Sequence, residues 1–300
     1  MKAYAPHEAL VEAARPSKAL ITTAVGFVAI EFLYKLGRDL LDFFLATASP
    51  DVADIIFDGV APIAVLYDLV SFVILALLVV WVAWRSHDRG FASLVGPGDL
   101  AWQDLRLALI AASGMHVLML FVVPWGLAEA EMQTLVNWLK ILPVAMIALL
   151  IQTGAEELFY RGYLQQQLAA RFRQTWVWMI VPNIAFAWVH WANGTDTQDS
   201  IYYVAWAFVF GLAASDLTAR SGTLGAAIGF HLANNAFAFL IADTQGRAGS
   251  GLALYLFPME ADDWVEVADD MAEPLMAQYV MVDLMIVLVT WLVVRVAIRR

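Results

Sequence analysis

Residues 141–171 read ILPVAMIALLIQTGAEELFYRGYLQQQLAAR. The stretch opens on uncharged, mostly apolar residues and then places Glu156, Glu157 and Arg161 within two turns of one another. About 20 apolar residues suffice to span a bilayer as a helix, so this reads as a membrane helix with ionisable groups inside it. The rest of the chain agrees. Of its 300 residues, 62% are apolar and only 15% are charged, with a mean hydropathy of +0.70. Soluble domains run at about 45–50% apolar and about 25% charged, so there are too few charges here to cover a water-facing surface. A disordered chain, a nucleic-acid binder and a disulfide scaffold are excluded by the same composition. There is no Cys, and the net charge is -11. Twelve Trp and nine Tyr are available for interfacial belts.

Eight stretches approach spanning length: Ala19 to Leu36, Val60 to Trp84, Leu105 to Trp125, one opening at Ile141, Trp176 to Trp191, Ile201 to Leu217, Leu224 to Ile241, and Leu275 to Ala297. Each must be helical, because backbone groups in hydrocarbon have no water to bond. The expected fold is therefore an all-α polytopic bundle of about eight transmembrane helices. It would form a single domain over 1–300, with a motif-bearing core at 141–241. The first 18 residues mix charges with Pro6 and Pro16 and read as a retained segment, not a signal peptide. Thirteen of the 17 Lys and Arg fall on one side of the alternating spans, which places both termini in the cytoplasm. The opposite side is acidic. Its run from Glu260 to Glu273 reads as a solvated loop reaching Pro274, without the spacing of a calcium loop. Short loops and this asymmetry suit a bacterial inner membrane.

Ionisable groups in a span are expensive and point to function. Glu157 and Arg161 stand four apart on one helix face and can pair; Glu156 is rotated about 100° away and lacks that partner. An interfacial turn at the end of the helix would look the same. His190 follows Phe186 by four in an otherwise apolar helix, and His231 shares a face with Asn235, beside Asn234. Singly, each fits a packing role. Together they hold what peptide hydrolysis requires: a carboxylate or imidazole to deprotonate water, and an imidazole and a carboxamide to stabilise an oxyanion. No Cys nucleophile, H-E-x-x-H, Walker loop or G-x-G-x-x-G is present. The clusters reach one depth only if the fourth helix continues past Arg161 to about Ala170. Other acids at membrane depth, namely Glu31, Asp68, Asp216 and Asp283, read better as interior hydrogen-bonding or helix-end groups than as a relay. Trp188 and Trp191 flank His190, where they could line a cavity or face lipid.

The three clusters resemble the motifs of the CPBP family, also called the ABI or type II CAAX prenyl endopeptidase family. Its pattern of E-E-x-x-x-R, F-x-x-x-H and H-x-x-x-N is met by Glu156-Glu157 with Arg161, Phe186 with His190, and His231 with Asn235. Gly162 and Leu164 continue the first motif. The resemblance spans Glu156 to Asn235 and implies an eight-span bundle with a cavity open to cytosol and lipid. It further implies that Glu156 and His190 activate a water, that His231 and Asn235 stabilise the oxyanion, and that Glu157 and Arg161 support them. The substrate would be a membrane-associated or lipidated peptide, prenylated or CAAX-like in some members, and the surrounding partner membrane lipid. Glu156, His190 and His231 could supply a zinc set; Asn235 suits an oxyanion role better, so no cofactor is expected, with a divalent ion such as zinc as the alternative. A non-proteolytic scaffold or immunity factor on the same fold is the second reading. A transporter is the third, and it lacks repeat symmetry.

Overall fold

The computed structural model describes residues 3–122, 127–194, 196–258 and 263–299, with backbone alone for residue 128 and for 263–279. Where the chain is apolar it is helical. The helices run α1 (Ala5–Val11), α2 (Leu20–Ala48), α3 (Pro50–Phe57), α4 (Pro62–Ser71), α5 (Val73–His87), α6 (Phe91–Val95), α7 (Gly98–Val122), α8 (Leu135–Glu157), α9 (Gln166–Arg171), α10 (Thr175–Val189), α11 (Thr197–Ser221), α12 (Gly225–Leu240) and α13 (Asp263–Ile298). Proline at the first turn opens α3 and α4, where its missing N–H costs nothing. Gly222, at φ +74, ends α11 in the left-handed conformation that glycine adopts without strain.

Six helical segments are long and apolar enough to cross a membrane: 20–48, 62–87, 98–122, 135–171, 197–221 and 280–298. Their outer faces expose large apolar side chains such as Ile21, Ile110, Phe121 and Val296. With no water-compatible cover, these faces suit hydrocarbon, and the chain is an integral membrane protein. The other two stretches expected to span, in α10 and α12, are helices of 15 and 16 residues, below that length. Both carry site residues and have largely buried inner faces.

The fold is all-α, with one small accessory sheet of β1 (Glu131–Met132), β2 (Ala242–Thr244) and β3 (Tyr255–Phe257) in the order β1-β3-β2, antiparallel then parallel. One expectation is corrected. The acidic run is not a loop to Pro274. Glu260 and Asp262 lie outside the described residues, but the backbone from Asp263 is helical and passes through Pro274 within α13; acidic residues in a first turn favour a helix start. The N-terminal segment is folded onto the bundle, with His7, Leu10, Val11 and Ala14 buried.

One carboxylate gathers the two ends of the chain. Asp216 on α11 accepts from the Tyr4 hydroxyl at 2.8 Å and from Trp291 Nε1 at 3.0 Å, and pairs with Arg220 at 2.9 Å. Arg295 lies 3.8 Å away. The segment before α2 and the end of α13 therefore meet at one end of the bundle. Burial and the hydrogen bond to Asp216 push the Tyr4 hydroxyl up to about 12, so it stays a donor at neutral pH.

Candidate active site

The long fourth segment carries the first half of the site. α8 passes into a π-helical stretch, Leu158–Gln165, and then into α9 without a break, so the segment 135–171 runs for 37 residues, about 55 Å. This is the continuation that the depth of Glu156 requires, and the charges do not mark a helix end. Wide π turns recur at functional sites inside α-helices. Here every residue from Ala155 to Leu168 is buried.

Glu157 and Arg161 are fully buried and joined at 3.0 Å. A lone charge in this environment would cost several kcal/mol, and the arginine is held from several sides. Its Nη2 donates to Asn183 Oδ1 at 3.0 Å and to the Gly211 carbonyl at 3.1 Å, and its guanidinium lies 4.5 Å from the centre of the Phe186 ring. Asn183 in turn donates to Ser215 Oγ at 2.8 Å. A Cβ on Gly211 would collide with Asn183 Oδ1, so glycine is what lets this cradle close.

The second half arrives on α12, which lies closely on α7. A side chain at Gly225 or Gly229 would strike the carbonyls of Ala101 or Leu105. Small residues four apart allow this backbone approach between membrane helices. It delivers His231 to the glutamates. Nδ1–H donates to Glu157 Oε1 at 2.8 Å, and Nε2 faces Glu156 Oε2 at 3.5 Å, too far for a good hydrogen bond. Glu156 Oε2 is buried and has no hydrogen-bond partner among the described residues. Glu157 is thus the direct partner of both Arg161 and His231, whereas Glu156 faces the free edge of the imidazole.

His190 caps α10. Its Nδ1–H donates to the Phe186 carbonyl at 2.7 Å, which leaves Nε2 as the acceptor of the neutral ring. Phe186 is the spacer of the site, with its ring 4.5 Å from that of His190, 5.1 Å from Tyr160 and 6.1 Å from His231. No hydrogen bond joins Glu156 and His190 among the described residues. Asn235 donates through Nδ2 to Gln152 Oε1 at 2.8 Å and accepts from Asn234 at 3.1 Å. The six expected site residues Glu156, Glu157, Arg161, His190, His231 and Asn235 therefore come from α8, the π stretch, the end of α10 and α12. Asn235 joins the rest through Gln152.

Phe186, Asn183, Ser215, Gly211 and Gln152 complete the arrangement. Spacing pointed to Phe186 alone. The other signal available was a neutral polar residue at membrane depth near a motif, which Gln152 and Asn183 both are. Of the remaining acids, Glu31 accepts from the Tyr160 hydroxyl at 3.4 Å, Asp68 pairs with Arg38 at 2.8 Å, and Asp216 is the clamp described above. Asp283 is exposed on α13. Trp188 and Trp191 stack at 5.8 Å, and Trp191 lines a cavity of about 330 Å³ with Gly194, Asp196 and Ser200. For a metal the donors do not fit. No three His, Cys, Asp or Glu among the described residues are grouped to hold an ion.

Comparison with known proteins finds a family match over the region that carries these residues. Residues 137–237 match the model of a family described as type II CAAX prenyl endopeptidase Rce1-like. A curated relative, the uncharacterized protein YyaK of Bacillus subtilis (strain 168), is 24% identical over 236 residues, covering 75% of this chain and 79% of the relative. No solved structure matches.

Proposed function

We propose, from the membership of residues 137–237 in the Rce1-like type II CAAX prenyl endopeptidase family, that this chain is an intramembrane endopeptidase. It hydrolyses a peptide bond of a membrane-associated substrate, prenylated or CAAX-like peptides among them, in a bacterial inner membrane. The chain acts as a single domain with its catalytic core at 141–241, eight spans and cytoplasmic termini. The observation that carries the reading is the buried Glu156 Oε2, without a hydrogen-bond partner among the described residues and 3.5 Å from His231 Nε2.

Glu156 takes a proton from water as the water oxygen bonds to the scissile carbonyl carbon. His190 Nε2, an acceptor because Nδ1–H is committed to Phe186, holds the second water hydrogen. The oxyanion is met by Asn235 Nδ2–H and by His231. Glu157, held by Arg161, accepts from His231 Nδ1–H and turns the Nε2 edge of the ring toward Glu156. Glu157 and Arg161 orient the ring and touch no reacting atom. Collapse breaks the C–N bond, and the amine leaves with the proton held by Glu156. Donors aimed at a developing oxyanion are each worth about 100- to 1,000-fold in rate.

The test is purified protein in liposomes, mixed with membrane proteins from cells lacking it, in water enriched in oxygen-18. New carboxyl termini carrying the label support hydrolysis. No labelled termini above a heat-killed control overturns the reading. Cleavage that requires an added divalent ion and stops in chelator would contradict the roles given to His190 and His231.

A further inference from the structure

Asn235 stands on α12, where its carboxamide has no neighbour on its own helix to fix the amino end. Asn234 donates to Oδ1 at 3.1 Å. The amino end is held from another helix. Nδ2 donates to Gln152 Oε1 at 2.8 Å, across 83 positions of sequence. Gln152 is itself buried on α8, one turn before Glu156, so the same helix that carries the proposed base also carries the group that aims the carboxamide.

We infer that Gln152 is a positioning residue for Asn235, which sets the register between the oxyanion donor and the base. The inference rests on the proposed hydrolytic reading. The Nδ2 group has two hydrogens in one plane. With one directed to Gln152 Oε1, the other has a fixed direction within that plane, roughly 120° from the first, and this is the hydrogen left for an oxyanion. Because Gln152 and Glu156 share one face at i, i+4, a displacement of α8 moves base and donor together. Preorganisation of this kind matters because an oxyanion donor acts only when it is already aimed at the place where charge develops. Gln152 touches no reacting atom. Its removal should therefore lower kcat with KM nearly unchanged, as for an interaction made only in the transition state.

The experiment uses full-length protein in liposomes and, as its probe, the substrate fragment identified by its new terminus. Gln152→Met keeps the length and apolar packing but loses the acceptor; it should reduce kcat about tenfold. Gln152→Glu restores an oxygen acceptor and should regain part of the rate. The decisive readout is a cycle with Asn235→Ala, since residues that act through one another are non-additive. In the Asn235→Ala background, Gln152→Met should cause no further loss. Equal rates for Gln152→Met and wild type, or a tenfold loss that persists in the Asn235→Ala background, would overturn the inference. A raised KM at constant kcat would do the same. If wild-type protein produces no new terminus at all, the hydrolytic reading itself fails and the inference falls with it. A melting temperature matching wild type in detergent shows that Gln152→Met is folded.

Discussion

Glu157 is the residue on which the site turns, because one oxygen serves both Arg161 and His231. Removing one member of a buried ion pair costs about 3–5 kcal/mol, most of it from the charge left behind. Arg161→Met should therefore lower the melting temperature in detergent sharply, and Arg161→Met with Glu157→Gln should recover most of the loss. Equal melting of the single variant and wild type would mean that the pair is not desolvated as described. The pairing of Glu157 with Arg161 was readable from a spacing of four. The bond from Glu157 to His231 was not, because 74 positions separate them and only the docking of α12 joins them. Gln152 and Asn183 were passed over since a neutral amide in an apolar helix carries no charge to mark it.

At the scale of elements, the spans were visible as apolar runs, but the devices that join them were not. Periodicity does not distinguish a π turn from an α turn, so the register of Leu158–Gln165 had to come from the structure. The pair Gly225 and Gly229 sets how near α12 comes to α7, a close approach that only the structure shows. Gly229→Leu should push α12 away and remove His231 from Glu157, with loss of activity and a lowered melting temperature. Unchanged activity would show that the close approach is dispensable. The docked N-terminal segment supplies a pH test. His7 is buried against the Trp178 ring at 4.6 Å and beside Gln165, and burial lowers its pKa from 6.5 to about 4. Above about pH 6.5 the ring is neutral whether docked or free, and docking is unaffected. As the pH falls from 6.5 toward 4, the free segment takes a proton that the docked one refuses, and docking weakens by up to about tenfold per pH unit. Hydrogen exchange over residues 5–17 should therefore speed up between pH 7 and pH 5 beyond its intrinsic rate change, and His7→Phe should abolish that dependence. The same dependence in His7→Phe would assign it elsewhere.

For the whole molecule, the count of Lys and Arg and the meeting of both chain ends at Asp216 are the grounds for the proposed topology with cytoplasmic termini. The absence of cysteine makes it measurable without a background. A membrane-impermeant maleimide applied to intact cells should label Asp51→Cys, between α2 and α4, and should reach Gln174→Cys only after the membrane is opened. The reverse pattern would place the termini outside. Composition and run lengths revealed a membrane bundle, whereas the shortness of α10 and α12 and the small sheet were hidden, since both depend on how neighbours cover a segment.

The central claim is that Glu156 performs peptide hydrolysis within the membrane. Its most direct test is a comparison of protein termini in membranes of cells carrying wild-type protein or Glu156→Ala at equal abundance. The account predicts peptides newly terminated in the wild type and missing from the variant, and those peptides also name the substrate. Identical termini in the two, in cells where deletion of the chain still has a phenotype, would contradict it and leave the fold acting by binding alone.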